Sequence, residues 1–171
     1  QENLAERLTE IMKKYHVAPA QINLEITETA AAHSDMLENN IKILHKQGIE
    51  FSLDDYGSGY SHTDYLFRFP FRIVKIDKTI LWEAFKNEKA MIALRNTIRM
   101  IKELGLEIVV EGVENQEYVD YLTEQHCDYL QGYFYSKPIP DRDFLELLRR
   151  ENAQYYAERF SKNELSDIIT T

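Results

Sequence analysis

Two adjacent carboxylates, Asp54 and Asp55, end the apolar run of residues 51–53 and precede a loop that contains Gly57 and Gly59. Side chains alternate along a strand, so we expect the two acids to point to opposite faces where the strand ends. One carboxylate would enter the mouth of a barrel and the other would reach the adjoining loop. Adjacent acids repel each other, and a divalent cation would offset that repulsion. Asp54 and Asp55 are therefore candidate metal ligands.

The composition is that of an acidic globular protein. The chain has 171 residues, of which 44% are hydrophobic and 12% aromatic, and such a chain can bury a sizeable core. Its formal net charge of −9 argues against a nucleic-acid polymer as partner, because that interaction needs clustered Lys and Arg. We predict one domain over residues 1–160 and a polar tail or linker over residues 161–171.

The cysteine content and the hydropathy of the chain indicate the cellular compartment in which it would function. Cys127 is the single cysteine, so the chain cannot form an internal disulfide. No apolar run approaches the roughly 20 residues of a membrane span. We expect a cytoplasmic protein, or the cytoplasmic part of a larger signalling protein, with no membrane contact from this segment.

Apolar residues recur with helical or strand spacing and predict alternating strands and helices. The predicted strands are Ile22–Glu28, Ile49–Asp54, Arg72–Asp77, Leu106–Val110 and Cys127–Gln131. The predicted helices cover residues 4–15, the stretch from a Ser34 cap to Gly48, residues 60–69, 87–104 and 116–124, and a last stretch that begins at Asp141. This βα alternation favours a parallel sheet with right-handed crossovers.

Polar residues occur at or just past the carboxyl ends of all five predicted strands. These residues are Glu25, Asp54, Lys75, Glu111 and Gln131. In a (β/α)₈ barrel such strand ends converge on one mouth, whereas an open doubly wound sheet gathers ligands only at a switch point. Eight strands with their helices need roughly 250 residues. The alternatives are an open five-stranded sheet and a barrel whose first strands are absent from this chain.

Five short motifs occur in order along the chain. They are Leu-Glu-Ile-Thr-Glu at 24–28, Asp-Asp-Tyr-Gly-Ser-Gly-Tyr-Ser at 54–61, Val-Lys-Ile-Asp at 74–77, Val-Glu-Gly-Val-Glu at 110–114, and Gln-Gly-Tyr at 131–133 with Pro138. Each motif is weak by itself, but the ordered set resembles the EAL family of cyclic di-GMP phosphodiesterases. The resemblance implies a modified TIM (β/α)₈ barrel whose first strand is antiparallel to the others, here incomplete with about five parallel strands.

The resemblance also implies roles for the polar residues. Glu25, Asp54 and Glu111 correspond to the family's metal-binding carboxylates and Asp55 to the ligand of a second metal ion. Lys75 corresponds to the lysine at the reacting phosphate. Glu111 has also been given the role of general base in the family, and the identity of the group that takes the proton stays open.

Further positions match the family's site. Glu28 corresponds to the acid that stabilises the loop after the paired aspartates. Glu114 and Gln131 match two more active-site positions, and the stretch from Tyr133 to Pro138 would lie near a guanine base.

The function implied by the resemblance is metal-dependent hydrolysis of cyclic di-GMP to linear pGpG. Two Mg²⁺ or Mn²⁺ ions would suit the hard oxygen ligands that the acids supply. The alternative is a catalytically inactive module that binds cyclic di-GMP or relays a signal, although the retained acids and lysine favour the enzyme. A homodimer and an upstream sensory or cyclase domain are expected partners.

One departure from the family is large. The strand with the Glu-Ala-Leu motif and the strand with the family's metal-binding asparagine would precede Gln1, and neither Asn3 nor Asn23 is assigned that role. We therefore expect a fragment of a longer protein, with impaired activity and exposed sheet edges.

The histidines and two aromatic side chains are predicted to have structural rather than functional roles. The five histidines show no zinc-ligand spacing. Trp82 and Phe85 are predicted to be packing residues rather than a base-stacking platform. His62 and Asp77 receive no firm role.

Overall fold

The computed structural model describes residues 4–31, 35–59 and 64–159. Five strands are described: β1 (Asn23–Thr27), β2 (Glu50–Tyr56), β3 (Phe71–Ile76), β4 (Glu107–Val110) and β5 (Tyr129–Leu130). They form one sheet in which every neighbouring pair is parallel and the spatial order equals the chain order. The predicted α/β class and the predicted five parallel strands are confirmed.

Helices alternate with the strands along the chain. They are α1 (Leu4–Tyr15), α2 (Glu28–Ala31), α3 (Asp35–Lys46), α4 (Tyr65–Arg68), α5 (Lys78–Ala84), α6 (Glu88–Glu103), α7 (Gln116–Glu124) and α8 (Asp141–Arg159). The chain divides into two compact units, of which the first ends at Tyr135 and the second begins at Ser136 and contains α8. Within the described residues, no helix is both long and apolar enough to cross a bilayer.

The core of the first unit lies between the central strands and their helices. Leu53, Val74 and Ile108 of the sheet are fully buried, as are Leu94 and Ile101 of α6. Central parallel strands are buried on both faces, and their apolar runs reflect this. The core therefore fixes the strands rigidly, and with them the polar residues near their carboxyl ends.

The strand before the glycine loop is longer than predicted. β2 does not end at Asp54 but continues through Asp55 to Tyr56. Its register with β3 shifts between Leu53 and Tyr56, and Asp55 adopts a positive φ of 57°. An aspartate tolerates this conformation better than a β-branched residue does, and the register shift breaks the regular alternation of side chains at the end of the strand.

Helix α5 was not predicted. It begins directly after β3, and the side chain of Asp77 caps it by accepting hydrogen bonds from the backbone N–H of Thr79, at 2.9 Å, and from the Thr79 hydroxyl. Asp77 thereby gains a structural role as an N-cap.

Several predicted features lie outside the described residues. These are the Ser34 cap, His62, the first residues of the helix expected over 60–69, and the tail at 161–171. The described part of that helix is α4, Tyr65–Arg68.

Candidate metal centre and active site

Lys75 lies among carboxylates contributed by the neighbouring strands. Its Nζ is 2.7 Å from Oδ1 of Asp54 and 3.0 Å from Oε1 of Glu111. A third contact, also 3.0 Å, joins it to Oε1 of Glu25. Glu25 lies in the middle of β1 and Lys75 one residue before the end of β3, whereas Glu111 directly follows β4. The parallel strand order brings the four side chains to one place on the sheet.

The surroundings of Lys75 keep it charged. Burial alone would lower its pKa, but the hydrogen bonds to Asp54, Glu111 and Glu25 outweigh burial and raise the pKa above the ordinary lysine value. The ammonium is therefore a permanent positive charge at the centre of the cluster. This is the charge state needed to stabilise negative charge on a phosphoryl oxygen.

Three carboxylates of the site lie close together. One oxygen of each lies within 4.8 Å of the other two, and the residues are Asp54, Asp55 and Glu111. The expectation that the paired aspartates point to opposite faces is wrong. The register shift and the positive φ of Asp55 break strict alternation, so the two carboxylates come within 4.8 Å of each other. Glu25 contacts Lys75 but is not a member of this 4.8 Å group.

The cluster carries more negative charge than its lysine neutralises. Four carboxylates, those of Glu25, Asp54, Asp55 and Glu111, surround one ammonium. Burial, and after it the charges of Asp54 and Asp77, raise the pKa of Asp55, while Lys75 opposes that rise. A raised pKa means that the site disfavours the Asp55 anion in the absence of a further cation.

The donor atoms fit a hard divalent cation. The buried Oδ1 of Asp54 faces Nζ of Lys75 at 2.7 Å and has no other partner among the described residues. An oxygen in this state has unused lone-pair capacity that a cation could take up. Carboxylate oxygens are the ligands that Mg²⁺ and Mn²⁺ prefer. Asp54, Asp55 and Glu111 could therefore hold such an ion, with Glu25 nearby.

Glu28 connects the strand end to the helix after the glycine loop. Its side chain is buried, and Oε2 accepts a hydrogen bond of 3.0 Å from the backbone N–H of Gly57. Its Oε1 accepts a hydrogen bond of 2.6 Å from the hydroxyl of Tyr65, at the start of α4. Gly57 has a φ of 88°, which favours glycine. One buried carboxylate thus holds the chain on both sides of residues 58–64.

We expect the Tyr65→Phe substitution to lower the free energy of unfolding by about 1–3 kcal/mol, because it leaves a buried carboxylate oxygen of Glu28 short of a donor. Urea denaturation measures the change. Tyr15→Phe is the matched control, since Tyr15 is 63% exposed and its loss of a hydroxyl should matter little. Equal stability of the two variants would contradict the role assigned to the Tyr65 hydroxyl.

A cavity of about 210 Å³ adjoins the cluster. The loops after β4 and β5 line it with Glu111, Gly112, Glu114, Gln131, Gly132 and Tyr133. Glu111 belongs to both the acidic cluster and the cavity, so the two are continuous. The structure brings the predicted positions Glu114, Gln131 and Tyr133 to this cavity, whereas Pro138 belongs to the second compact unit.

Two residues of the cavity were missed as site residues. Lys78 and Trp82 on α5 complete the lining. They are four residues apart and therefore share one face of the helix. Phe85 packs as predicted, with its ring centroid 4.5 Å from that of Tyr118. The signal that could have found the pair is the Lys-x-x-x-Trp spacing immediately after the strand that carries Lys75.

A sequence model of the EAL domain matches residues 1–138. The chain belongs to the EAL domain family. This confirms the resemblance that the five motifs indicated.

Individual EAL proteins are similar over most of this chain. The cyclic di-GMP phosphodiesterase RocR of Pseudomonas aeruginosa is 34% identical over 145 residues, which cover 84% of this chain and 37% of RocR. The EAL enzyme Bd1971, in a form with bound cAMP and cyclic di-GMP, has a TM-score of 0.82 at 25% identity over 86% of this chain and 39% of that chain. The chain thus spans well under half the length of these EAL proteins.

A third EAL similarity concerns a structure that contains metal. The manganese/cy-diGMP complex of Klebsiella pneumoniae BlrP1 has a TM-score of 0.74 at 26% identity, over 81% of this chain and 36% of that chain. A calcium/cy-diGMP complex of BlrP1 matches with the same TM-score of 0.74 over 81% of this chain and 35% of that chain. The predicted fold class, an incomplete TIM-type barrel with parallel strands, agrees with these EAL structures and is confirmed.

Proposed function

We propose that the chain is the C-terminal part of a metal-dependent phosphodiesterase domain that hydrolyses cyclic di-GMP to linear pGpG. The observation that carries the proposal is the ammonium of Lys75 within 3.0 Å of three carboxylates, Glu25, Asp54 and Glu111. A charged lysine beside an excess of acids suits a phosphodiester substrate together with cations. The similarity to RocR, a cyclic di-GMP phosphodiesterase, and to EAL structures with bound cyclic di-GMP supports this substrate class.

Asp54, Asp55, Glu111 and Glu25 would hold the divalent cations, Mg²⁺ or Mn²⁺. When bound, such cations supply positive charge at the phosphate and lower the pKa of coordinated water. Hard carboxylate ligands suit either ion, and the manganese complex of BlrP1 supports the class of metal.

Lys75 would donate hydrogen bonds from Nζ to a phosphoryl oxygen and so stabilise the negative charge that develops during attack. Glu111 borders both the acidic cluster and the cavity, and we assign it the proton of the attacking water. The new bond joins the water oxygen to phosphorus and the bond from phosphorus to the ribose 3′ oxygen breaks. The departing 3′ oxygen takes up a proton from solvent, which balances the proton that Glu111 takes from the water, so one water is consumed and linear pGpG is formed.

Glu28 would keep the aspartate-bearing strand end in place through Gly57 and Tyr65. Gln131 and Glu114 would contact the substrate in the cavity, with the stretch from Tyr133 to Pro138 near one guanine. A cytoplasmic homodimer with an upstream sensory or cyclase domain completes the proposal and is supported by family resemblance.

The test is incubation of the full-length protein with cyclic di-GMP and Mg²⁺ or Mn²⁺, with pGpG measured by chromatography and binding by calorimetry. We expect pGpG to accumulate and chelation of the metal with EDTA to stop it. Binding without pGpG would instead assign the protein to the regulatory class, and the absence of both would reject the two functions together.

A further inference from the structure

The cavity beside Glu111 has one wall that the family motifs leave unassigned. This wall consists of Lys78 and Trp82, and Lys78 Nζ lies 5.5 Å from the centroid of the Trp82 ring. Trp82 is half-buried and packs against the core, whereas Lys78 is exposed. Among the described residues, Lys78 makes no salt bridge. Its ammonium lies over the face of the Trp82 ring as a cation–π contact, and its N–H donors are not engaged by a carboxylate.

The position of this wall depends on its neighbours. Nε1 of Trp82 donates a hydrogen bond of 2.9 Å to the backbone carbonyl of Gly112, which fixes the indole against the loop after β4. A Cβ on Gly112 would lie 2.3 Å from Cβ of Lys78 and 3.0 Å from Nε1 of Trp82. Gly112 also has a φ of 72°. Only a residue without a side chain fits here, so Gly112 allows α5 to lie directly against the loop after β4.

The size of the cavity limits its occupant. A volume of about 210 Å³ is smaller than the roughly 300 Å³ at which pockets for drug-sized ligands begin. The cavity therefore suits one heterocyclic base rather than a whole dinucleotide. Since Glu111 connects the cavity to the acidic cluster, a base bound there would belong to a nucleotide whose phosphate lies near Lys75.

The polar groups match guanine better than adenine. Guanine presents two acceptors, O6 and N7, which a lysine ammonium recognises. Its amino group is a donor, which suits the carboxylate of Glu114, another residue that lines the cavity. Adenine places an amino donor where guanine has O6, and that donor would face the donors of Lys78. An indole ring supplies the stacking surface that any base can use.

We propose that Lys78 and Trp82 form a guanine-binding wall that selects the base of the cyclic dinucleotide. This inference rests on the proposed function, because the base is that of its substrate. The exposed Lys78 side chain turns away from the indole and donates hydrogen bonds to the acceptor edge of guanine, and the Trp82 ring that it uncovers stacks on the base. Both are specificity-determining residues rather than groups that take part in bond cleavage.

The Lys78→Met substitution tests base selection in the full-length protein. With Ca²⁺ present to slow turnover, we expect the Kd of cyclic di-GMP to rise about tenfold and the Kd of cyclic di-AMP to change less than about twofold. The Kd for Mn²⁺ in the absence of nucleotide should stay the same, because Lys78 forms no salt bridge with Glu25, Asp54, Asp55 or Glu111 among the described residues. Lys89→Met is the matched control, since Lys89 lies on α6 outside the cavity.

Stacking has a separate readout in affinity, because every base presents a ring face to an aromatic side chain. The Trp82→Leu substitution keeps an apolar side chain against the core but removes the ring, so the Kd values of cyclic di-GMP and cyclic di-AMP should both rise about tenfold in the full-length protein. The Trp82→Phe variant keeps an aromatic ring and should change both Kd values less than about threefold.

The outcomes separate the inference from the proposed function. If the parent protein binds and hydrolyses cyclic di-GMP but Lys78→Met weakens both dinucleotides equally, or neither, the base-reading role is wrong while the function stands. Equal Kd values for the Trp82→Leu and Trp82→Phe variants would overturn the stacking role in the same way. If the parent protein neither binds nor hydrolyses cyclic di-GMP, both proposals fall.

Discussion

Replacement of Lys75 by methionine should lower the turnover of cyclic di-GMP by about 10²–10³-fold, the usual effect of removing one group that stabilises transition-state charge. Methionine keeps much of the side-chain length and removes the ammonium. We expect the loss mainly in kcat, because the positive charge is most useful when negative charge develops on the phosphoryl oxygens. Steady-state kinetics with the full-length protein and Mg²⁺ or Mn²⁺ measures the change.

The same substitution should destabilise the metal-free protein. Lys75 is the counter-ion of Asp54, Glu111 and Glu25, and its removal leaves acids facing one another. Loss of one partner of a buried ion pair lowers the free energy of unfolding by about 3–5 kcal/mol. Because Glu25 is 53% exposed and water screens its charge, we expect a smaller decrease of about 2–3 kcal/mol. Thermal unfolding in EDTA measures the loss.

Divalent cations should reverse much of this destabilisation. A cation that binds the folded state raises Tm. The cluster without Lys75 carries more uncompensated negative charge, so it should bind the cation more strongly. Lys42→Met is the control, because Lys42 is 62% exposed and pairs with Glu38 on the surface. A Lys75→Met variant as stable in EDTA as this control would contradict the counter-ion role of Lys75.

The elements that carry the acidic cluster were predictable because each follows from local periodicity. Apolar runs located the strands, and their parallel order explains why Glu25, Lys75 and Glu111 converge although they lie far apart in sequence. The ordered motifs then distinguished this arrangement from an open sheet of another kind. Their assignment depended on residue type and position along the chain, both of which are present in the sequence.

The features that were missed depend on tertiary structure. Nothing local in the sequence signals the positive φ of Asp55 or the register shift that brings it beside Asp54, because both follow from the pairing of β2 with β3. The hydroxyl of Tyr65 reaches Glu28 across 37 positions. The approach of Trp82 to Gly112 similarly requires a helix and a loop to meet, so the Lys-x-x-x-Trp spacing indicates a shared helix face but not the cavity that this face lines.

Asparagine substitutions at the paired aspartates should have equal effects on catalysis and opposite effects on metal-free stability. Asp54→Asn and Asp55→Asn each remove a candidate metal ligand, and turnover should fall by at least about 10²-fold, since even outer-shell partners of a metal commonly contribute 10–100-fold. Titration with Mn²⁺ should show weaker binding in both variants.

Asp54→Asn should lower the free energy of unfolding in EDTA by about 1–3 kcal/mol, because it breaks the 2.7 Å ion pair with Lys75. Asp55→Asn should raise it, by about 0.5 kcal/mol or less after solvent screening. The reason is that burial and the charges of Asp54 and Asp77 raise the pKa of Asp55, so the folded protein tolerates its anion poorly.

The dependence on pH gives the sign of the Asp55 effect. A raised folded-state pKa means that the folded protein holds the proton more tightly than the unfolded chain, so stability is lost as the pH rises through that pKa. Asp55→Asn should therefore exceed the parent in stability near neutral pH and match it below the ordinary aspartate pKa of 3.8. Urea denaturation in EDTA across this range measures the difference. A loss of stability in Asp55→Asn equal to that in Asp54→Asn would show that Asp55 is neutralised by a cationic partner even without metal.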